Sequence, residues 1–120
     1  LDRHPLVISS LDSIAARREV WESLKWEKPA LYIDARMGGE TAKVYTVFTD
    51  SGDDVRFYES SLTQKEFVLP CTAQAIAYNA GLIASIVCSM VKRWVNGSRI
   101  PRLVMGDSHN LTLTSIYRDA

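Results

Sequence analysis

The sequence predicts an α/β domain built on a mixed sheet, and three features carry that expectation. Within residues 6–33, two short apolar runs of strand length flank an amphipathic helical segment. Residues 72–95 form a second, longer helical pattern, and two β-rich segments close the chain around Gly106-Asp-Ser-His-Asn110. Strand, helix and strand in succession is the βαβ unit, whose strands lie parallel. A terminal hairpin adds antiparallel strands.

The first element is the apolar run at residues 6–9, bounded by Pro5 and by a Ser/Asp pair, as suits a buried parallel strand. Asp12 or Ser13 is a natural N-cap for a helix over residues 14–26, where Ala16, Val20 and Leu24 recur at helical spacing. Pro29 ends that helix, and residues 30–33 read as a second buried strand. Asp34 and Arg36 then follow the strand, at the same carboxyl edge as Asp12. Met37-Gly38-Gly39 marks a turn, and Lys43-Val-Tyr-Thr-Val-Phe48 has strong β-propensity. Residues 49–54 read as a polar loop, and residues 56–69 as a mostly irregular connector closed by Pro70.

In the long helix, Ile76, Ala80, Ile83, Val87, Val91 and Trp94 fall on one stripe, while Leu82, Ile86 and Met90 are apolar elsewhere. That pattern predicts a long helix buried on most sides, with Cys88 in the core. Gln74, Asn79, Ser85 and Ser89 interrupt the apolar run and favour packing within protein over a membrane span. Gly97 supplies a C-cap. Trp21, Trp26 and Trp94 occupy helical positions and read as packing residues. Residues 102–105 and 111–115 form the closing strand pair.

A chain of 120 residues, 47% hydrophobic and 23% charged, fits one small domain or part of a larger one. Lysine plus arginine and aspartate plus glutamate each number 14, so the net charge is zero. No clustered basic surface of the kind that binds nucleic acid is expected; Lys92-Arg93 and Arg99/Arg102 read as solvating a helix end. Cys71 and Cys88 lie 17 positions apart without a C-x-x-C pair, which argues against both zinc and a disulfide. A reducing cytoplasm suits that usage, and the first residues do not resemble a signal peptide. His4 and His109 sit in separate loop-like contexts and predict no metal site.

Ligands of open α/β sheets bind outside the carboxyl ends of the strands. A carboxylate there, Asp12, with Arg17 one helical turn on, is suited to a metal–polyphosphate; the alternative is that Asp12 is only a helix cap. Arg17 and Arg18 either solvate a helix face or send one guanidinium into the site. Asp34 and Arg36 either bind a substrate tail or pair with each other or with Glu40. Cys71 is a thiol at a helix start, where thiolate is favoured, or else a small buried apolar residue.

Leu-Asp12-Ser-Ile-Ala-Ala-Arg17, Arg36-Met37-Gly-Gly-Glu with Val-Tyr-Thr-Val-Phe48, and Pro70-Cys71-Thr-Ala before a long small-residue helix occur in this order over nearly the whole chain. Together they resemble the ThiF/MoeB/E1-like adenylyltransferases, which carry an Asp-Asn-x-x-x-Arg motif, an Arg-Met-x-Gly segment and a helix-initiating cysteine. The resemblance implies that residues 1–120 are the C-terminal portion of a Rossmann-like adenylation domain whose N-terminal, nucleotide-loop half is absent. It implies ATP- and Mg2+-dependent adenylation of the C-terminal carboxylate of a ubiquitin-like or sulfur-carrier protein. Asp12 would organise magnesium and phosphate, Arg17 would face the phosphates or acyl-adenylate, and Cys71 would accept the acyl group or relay sulfur. Asp34 and Arg36 would bind the carrier tail. Ser13 replaces the motif asparagine, and no Gly-x-Gly-x-x-Gly occurs in these residues. A homodimer is expected, with neither nucleic acid nor membrane as partner. The alternative is a non-catalytic E1-like module for dimerisation or carrier docking.

Overall fold

The computed structural model describes residues 5–11, 13–38, 40–63 and 73–118; Asp12, Cys71 and His4 lie outside them. The elements are β1 (Leu6–Ser10), α1 (Ile14–Glu27), β2 (Leu31–Gly38), β3 (Thr41–Val47), α2 (Gly52–Ser61), α3 (Ala73–Asn96), β4 (Pro101–Asp107) and β5 (Thr112–Tyr117). They form an α/β unit with one five-stranded mixed sheet in the order β1-β2-β3-β4-β5. The β1–β2 pair is parallel, and every later pair is antiparallel.

Local chemistry sets the helix ends. Ser13, in extended conformation, caps α1 by accepting a hydrogen bond from the Ala16 N–H at 3.1 Å. The helix stops at Lys28, which adopts the left-handed region (φ 49) and donates its N–H to the Leu24 carbonyl before Pro29. At the end of α3, Gly97 (φ 69) donates to Trp94 and Ser98 donates to Arg93, a Schellman closure.

The residues of β2 alternate between two faces, and that alternation builds two cores. Leu31, Ile33 and Ala35 meet Ala42, Val44 and Val104 under Ile83, Ile86 and Met90 of α3. Tyr32 meets Tyr45, Val47 and Leu103 under Trp21 and Leu24 of α1 and Tyr58 of α2. The sheet is therefore sandwiched, with an aliphatic core on one side and an aromatic core on the other.

Four expectations are corrected. The stretch read as loop and irregular connector contains α2, which Ser51 caps and whose first turn carries Asp53 and Asp54, favourable at a helix N-terminus. Its periodicity is hidden because Asp54 and Ser61 occupy buried positions where apolar residues are usual. β2 continues through Asp34 and Arg36 to Gly38, because pairing with β3 extends it beyond the apolar run. The long helix is buried along one side only: Gly81, Ala84, Ser85 and Cys88 are exposed, so Cys88 is not a core residue. Small apolar residues read as burial, yet they leave little surface uncovered when they face outward. Trp26 is 79% exposed and packs on nothing that would bury it, unlike Trp21 at 1%. No described helix is long and apolar enough to cross a membrane.

Helix α3 approaches β4 closely at Gly106, where an added Cβ would lie 2.9 Å from the Leu82 side chain. Gly106→Val is expected to destabilise the fold by about 1–3 kcal/mol through overpacking, measured by urea denaturation. An unchanged midpoint would show that the Leu82 side chain swings aside into the neighbouring space at no cost.

Candidate functional site

Strand β1 stops at Ser10, in register with Ala35, while β2 runs on to Gly38. Asp34 and Arg36 therefore sit inside β2 but level with the carboxyl end of β1. Both project to the aromatic side of the sheet, the side α1 and α2 cover. Arg17 reaches the same place from the first turns of α1.

The three side chains meet on one carboxylate. Asp34 is fully buried, and its Oδ1 accepts from Arg17 Nε at 3.1 Å. Its Oδ2 accepts from Arg36 Nε at 3.0 Å and from the Tyr58 hydroxyl at 2.8 Å. Two guanidiniums on one carboxylate leave the cluster with one excess positive charge. Arg17 also donates from Nη2 to the Leu11 and Ala35 carbonyls. Arg36 donates from Nη2 to the Ser61 Oγ at 2.7 Å and lies 4.3 Å over the Tyr45 ring.

This geometry joins three of the five sequence-predicted residues and assigns them mutual contacts. Arg17 is only 5% exposed, and its described bonds brace the end of β1 and the middle of β2. Leu11, which it holds, directly precedes Asp12; Ser13, which follows, is fixed as the α1 cap. Arg18 turns away to the Leu62 carbonyl at the end of α2. Asp34 and Arg36 pair with each other, and Glu40 instead meets His109 at 3.2 Å. Asp12 and Cys71 themselves lie outside the described residues.

Sequence reasoning missed Tyr58 and Ser61, because they belong to the unrecognised α2. It also missed a second buried carboxylate. Asp54, 2% exposed, accepts from Arg118 Nε at 2.7 Å, Arg102 Nη2 at 3.1 Å and the Phe48 N–H at 3.0 Å. Arg102 is thus an interior partner and not a solvated helix-end residue. Arg118 further donates to the Ile100 and Thr46 carbonyls, tying the end of β5 to β3 and α2. The Ser51-x-x-Asp54 cap was the one visible signal; 48 and 64 residues separate Asp54 from its arginines.

The Tyr58 hydroxyl is pushed far above its ordinary value of 10.0, first by burial, then by the Asp34 carboxylate and by Tyr32. Tyr32 shifts the same way, again chiefly through burial. Both hydroxyls are therefore held neutral where they donate or share hydrogen bonds. Among the described residues, no group of three or more His, Cys, Asp or Glu side chains gathers as a metal cage.

Twenty-one solved chains match this architecture. One, titled "Crystal Structure of SeMet PaaA", aligns with a TM-score of 0.56 and 13% identity over 94% of this chain and 42% of that chain. At that identity the likeness is one of fold, and this chain spans less than half the length of the structure it matches. No protein-family model matches the chain. No curated protein matches it either.

Removing the carboxylate charge would strand two buried guanidiniums, so Asp34→Asn is expected to cost about 3–5 kcal/mol of stability. Tyr58→Phe, which deletes one donor to the same carboxylate, should cost about 1–3 kcal/mol. Guanidinium denaturation of the two variants checks the order; equal small effects would remove Asp34 from its central position. The raised tyrosines also set an alkaline limit. Their contribution is complete below the unfolded value of about 10, and it is lost as pH rises above it, because the unfolded chain then releases protons that the folded chain retains. Denaturation midpoints between pH 8 and 11 should fall above about pH 10, less steeply in Tyr58→Phe.

Proposed function

We infer that this chain forms the aspartate–arginine side of a ThiF/MoeB/E1-like adenylation domain, acting on the C-terminal carboxylate of a ubiquitin-like or sulfur-carrier protein. The observation that carries the reading is the meeting of Arg17, Asp34 and Arg36 at the carboxyl end of β1, beside the residue that precedes Asp12. Arg17 and Arg36 are motif positions of the resemblance, and with Asp34 they converge where α/β sheets hold ligands.

The position of β1 supports the reading further. Among the described residues it is an edge strand with its parallel partner on one side only, and Ile8 is 47% exposed. Parallel strands are ordinarily covered on both faces. A Rossmann-like sheet would continue past this edge, and the glycine-rich loop missing from these 120 residues would lie on that continuation.

In the proposed reaction the carrier carboxylate attacks the α-phosphorus of ATP and pyrophosphate leaves. Magnesium, held by Asp12 together with phosphate oxygens, would neutralise charge; a nucleotide-bound Mg2+ needs only one or two protein carboxylates. This reading assigns that role to Asp12, whose sequence neighbours Leu11 and Ser13 are held by Arg17 and by the α1 cap. Arg17 acts on Asp12 through the backbone by fixing Leu11, and the excess positive charge of its cluster favours anions at this edge. Cys71 is the proposed acyl or sulfur acceptor.

A non-catalytic module for homodimerisation or carrier docking is the second reading, favoured by the outward face of α3, where Gly81, Ala84 and Cys88 are exposed.

ATP–pyrophosphate exchange in the presence of a carrier separates the two. The 120 residues alone should support none, and exchange should appear when an N-terminal βαβ segment carrying a glycine-rich loop is joined to them. In that longer protein Asp12→Ala should lower exchange by about 100-fold or more. Exchange by the isolated chain would overturn the claim that the nucleotide loop lies elsewhere. Full exchange by Asp12→Ala would remove Asp12 from the reaction, and a longer protein that binds the carrier yet supports no exchange would favour the docking module.

A further inference from the structure

Strand β5 forms the edge of the sheet opposite β1. It pairs with β4 and, among the described residues, with nothing on its outer side. Residues 111–116 are all exposed. The strand reads Thr-Leu-Thr-Ser-Ile-Tyr, with high β-propensity and none of the charges, prolines or bulges on its own residues that ordinarily blunt an open edge.

An apolar cleft of about 600 Å3 adjoins this edge, walled by Tyr78 and Leu82 of α3 and by Leu111 and Leu113. Leu113 is 60% exposed and Tyr78 51%. Leu111, 88% exposed, adopts the left-handed region at φ 56, which strains an aliphatic residue by about 1–2 kcal/mol. An exposed, strained leucine at the mouth of an apolar cleft contributes nothing to the core that would explain it.

Among the described residues, the charge at the cleft has one sign. Asp107 lines it, its carboxyl lowered from the ordinary value chiefly by hydrogen bonds from Asn110 and also from the His109 N–H. Glu40 stands beside it, accepting from Ser108 through its carbonyl and meeting His109 at 3.2 Å. Among the described residues, no lysine or arginine lines the cleft.

We propose that β5 and this cleft form a docking site for an extended peptide segment of a partner protein, aliphatic at alternate positions and carrying lysine or arginine between them. The segment adds a strand to β5 through main-chain hydrogen bonds, as β-augmentation does. Its aliphatic side chains enter the Tyr78–Leu82–Leu113 cleft, and its cations face Asp107 and Glu40. Strand addition requires neither nucleotide nor Asp12, so it stands or falls apart from the adenylation reading.

The test titrates the 15N-labelled chain with acetyl-Leu-Lys-Leu-Thr-Leu-Arg-amide. Shift changes are expected in Thr112–Tyr117 and at Leu82, with slowed exchange of the β5 amides that β4 leaves unpaired. Replacing both peptide cations by glutamate, or making the surface change Leu113→Lys in the chain, should each weaken binding by about tenfold or more. Glu40→Lys, remote from both cores, should narrow the preference for the basic peptide. Equal affinity for the acidic peptide, or shifts confined to another surface, would overturn the proposal. Self-association through β5 in sedimentation, without peptide binding, would overturn it in favour of a second copy as the occupant.

Discussion

Asp34 is a carboxylate with no access to water, placed in the middle of a strand, and the arrangement of one whole side of the protein follows from satisfying it. Three donors reach it from three elements: Arg17 from α1, Arg36 from β2 itself, and Tyr58 from α2. A buried ion pair contributes little net stability, because desolvation offsets most of the Coulomb gain, but leaving any member unpaired is costly. The network therefore acts less as glue than as a locator. Only one placement of α1 and α2 over the sheet brings all three donors to the same two oxygens.

The other members of the network extend that constraint outward. Arg17 reaches the Leu11 carbonyl and so fixes the chain where β1 gives way to the α1 cap. Arg36 lies on Tyr45 and reaches Ser61, binding the last turn of α2 to the sheet. Asp54 repeats the same device at the opposite end of α2, with Arg102 and Arg118 as its partners. Helix α2 is thus held at both ends by carboxylate–arginine pairs, while α3 on the other face packs through an aliphatic core, with Asn79 Nδ2 donating to the Thr41 carbonyl of β3 at 2.8 Å. For the proposed adenylation chemistry this means that Arg17 works through the backbone that carries Asp12. A guanidinium already committed to protein oxygens positions the strand end more than it contacts a ligand.

Much of this was legible where pattern and period agree. The βαβ start, the long helix ending at Gly97 and the closing hairpin all follow from apolar spacing and cap residues, and all three are present. Arg17, Asp34 and Arg36 stood out as charges at strand ends, and they do meet. Legibility failed where burial and hydrophobicity part company. Helix α2 buries Asp54 and Ser61 and so lacks an apolar stripe. Conversely, α3 exposes alanine, glycine and Cys88, which a hydrophobic count treats as interior.

The sequence by itself determined the element order, the caps, the α/β class and the charged residues worth watching, because each depends on neighbours within a few positions. Tertiary structure alone decided what those charges do. Asp34 and Arg17 are 17 residues apart, Asp54 and Arg118 are 64 apart, and no local rule pairs groups at such distances. The pairing arises because a carboxylate folded into a dry core must find its donors there, and the chain closes around whichever arginines the topology delivers.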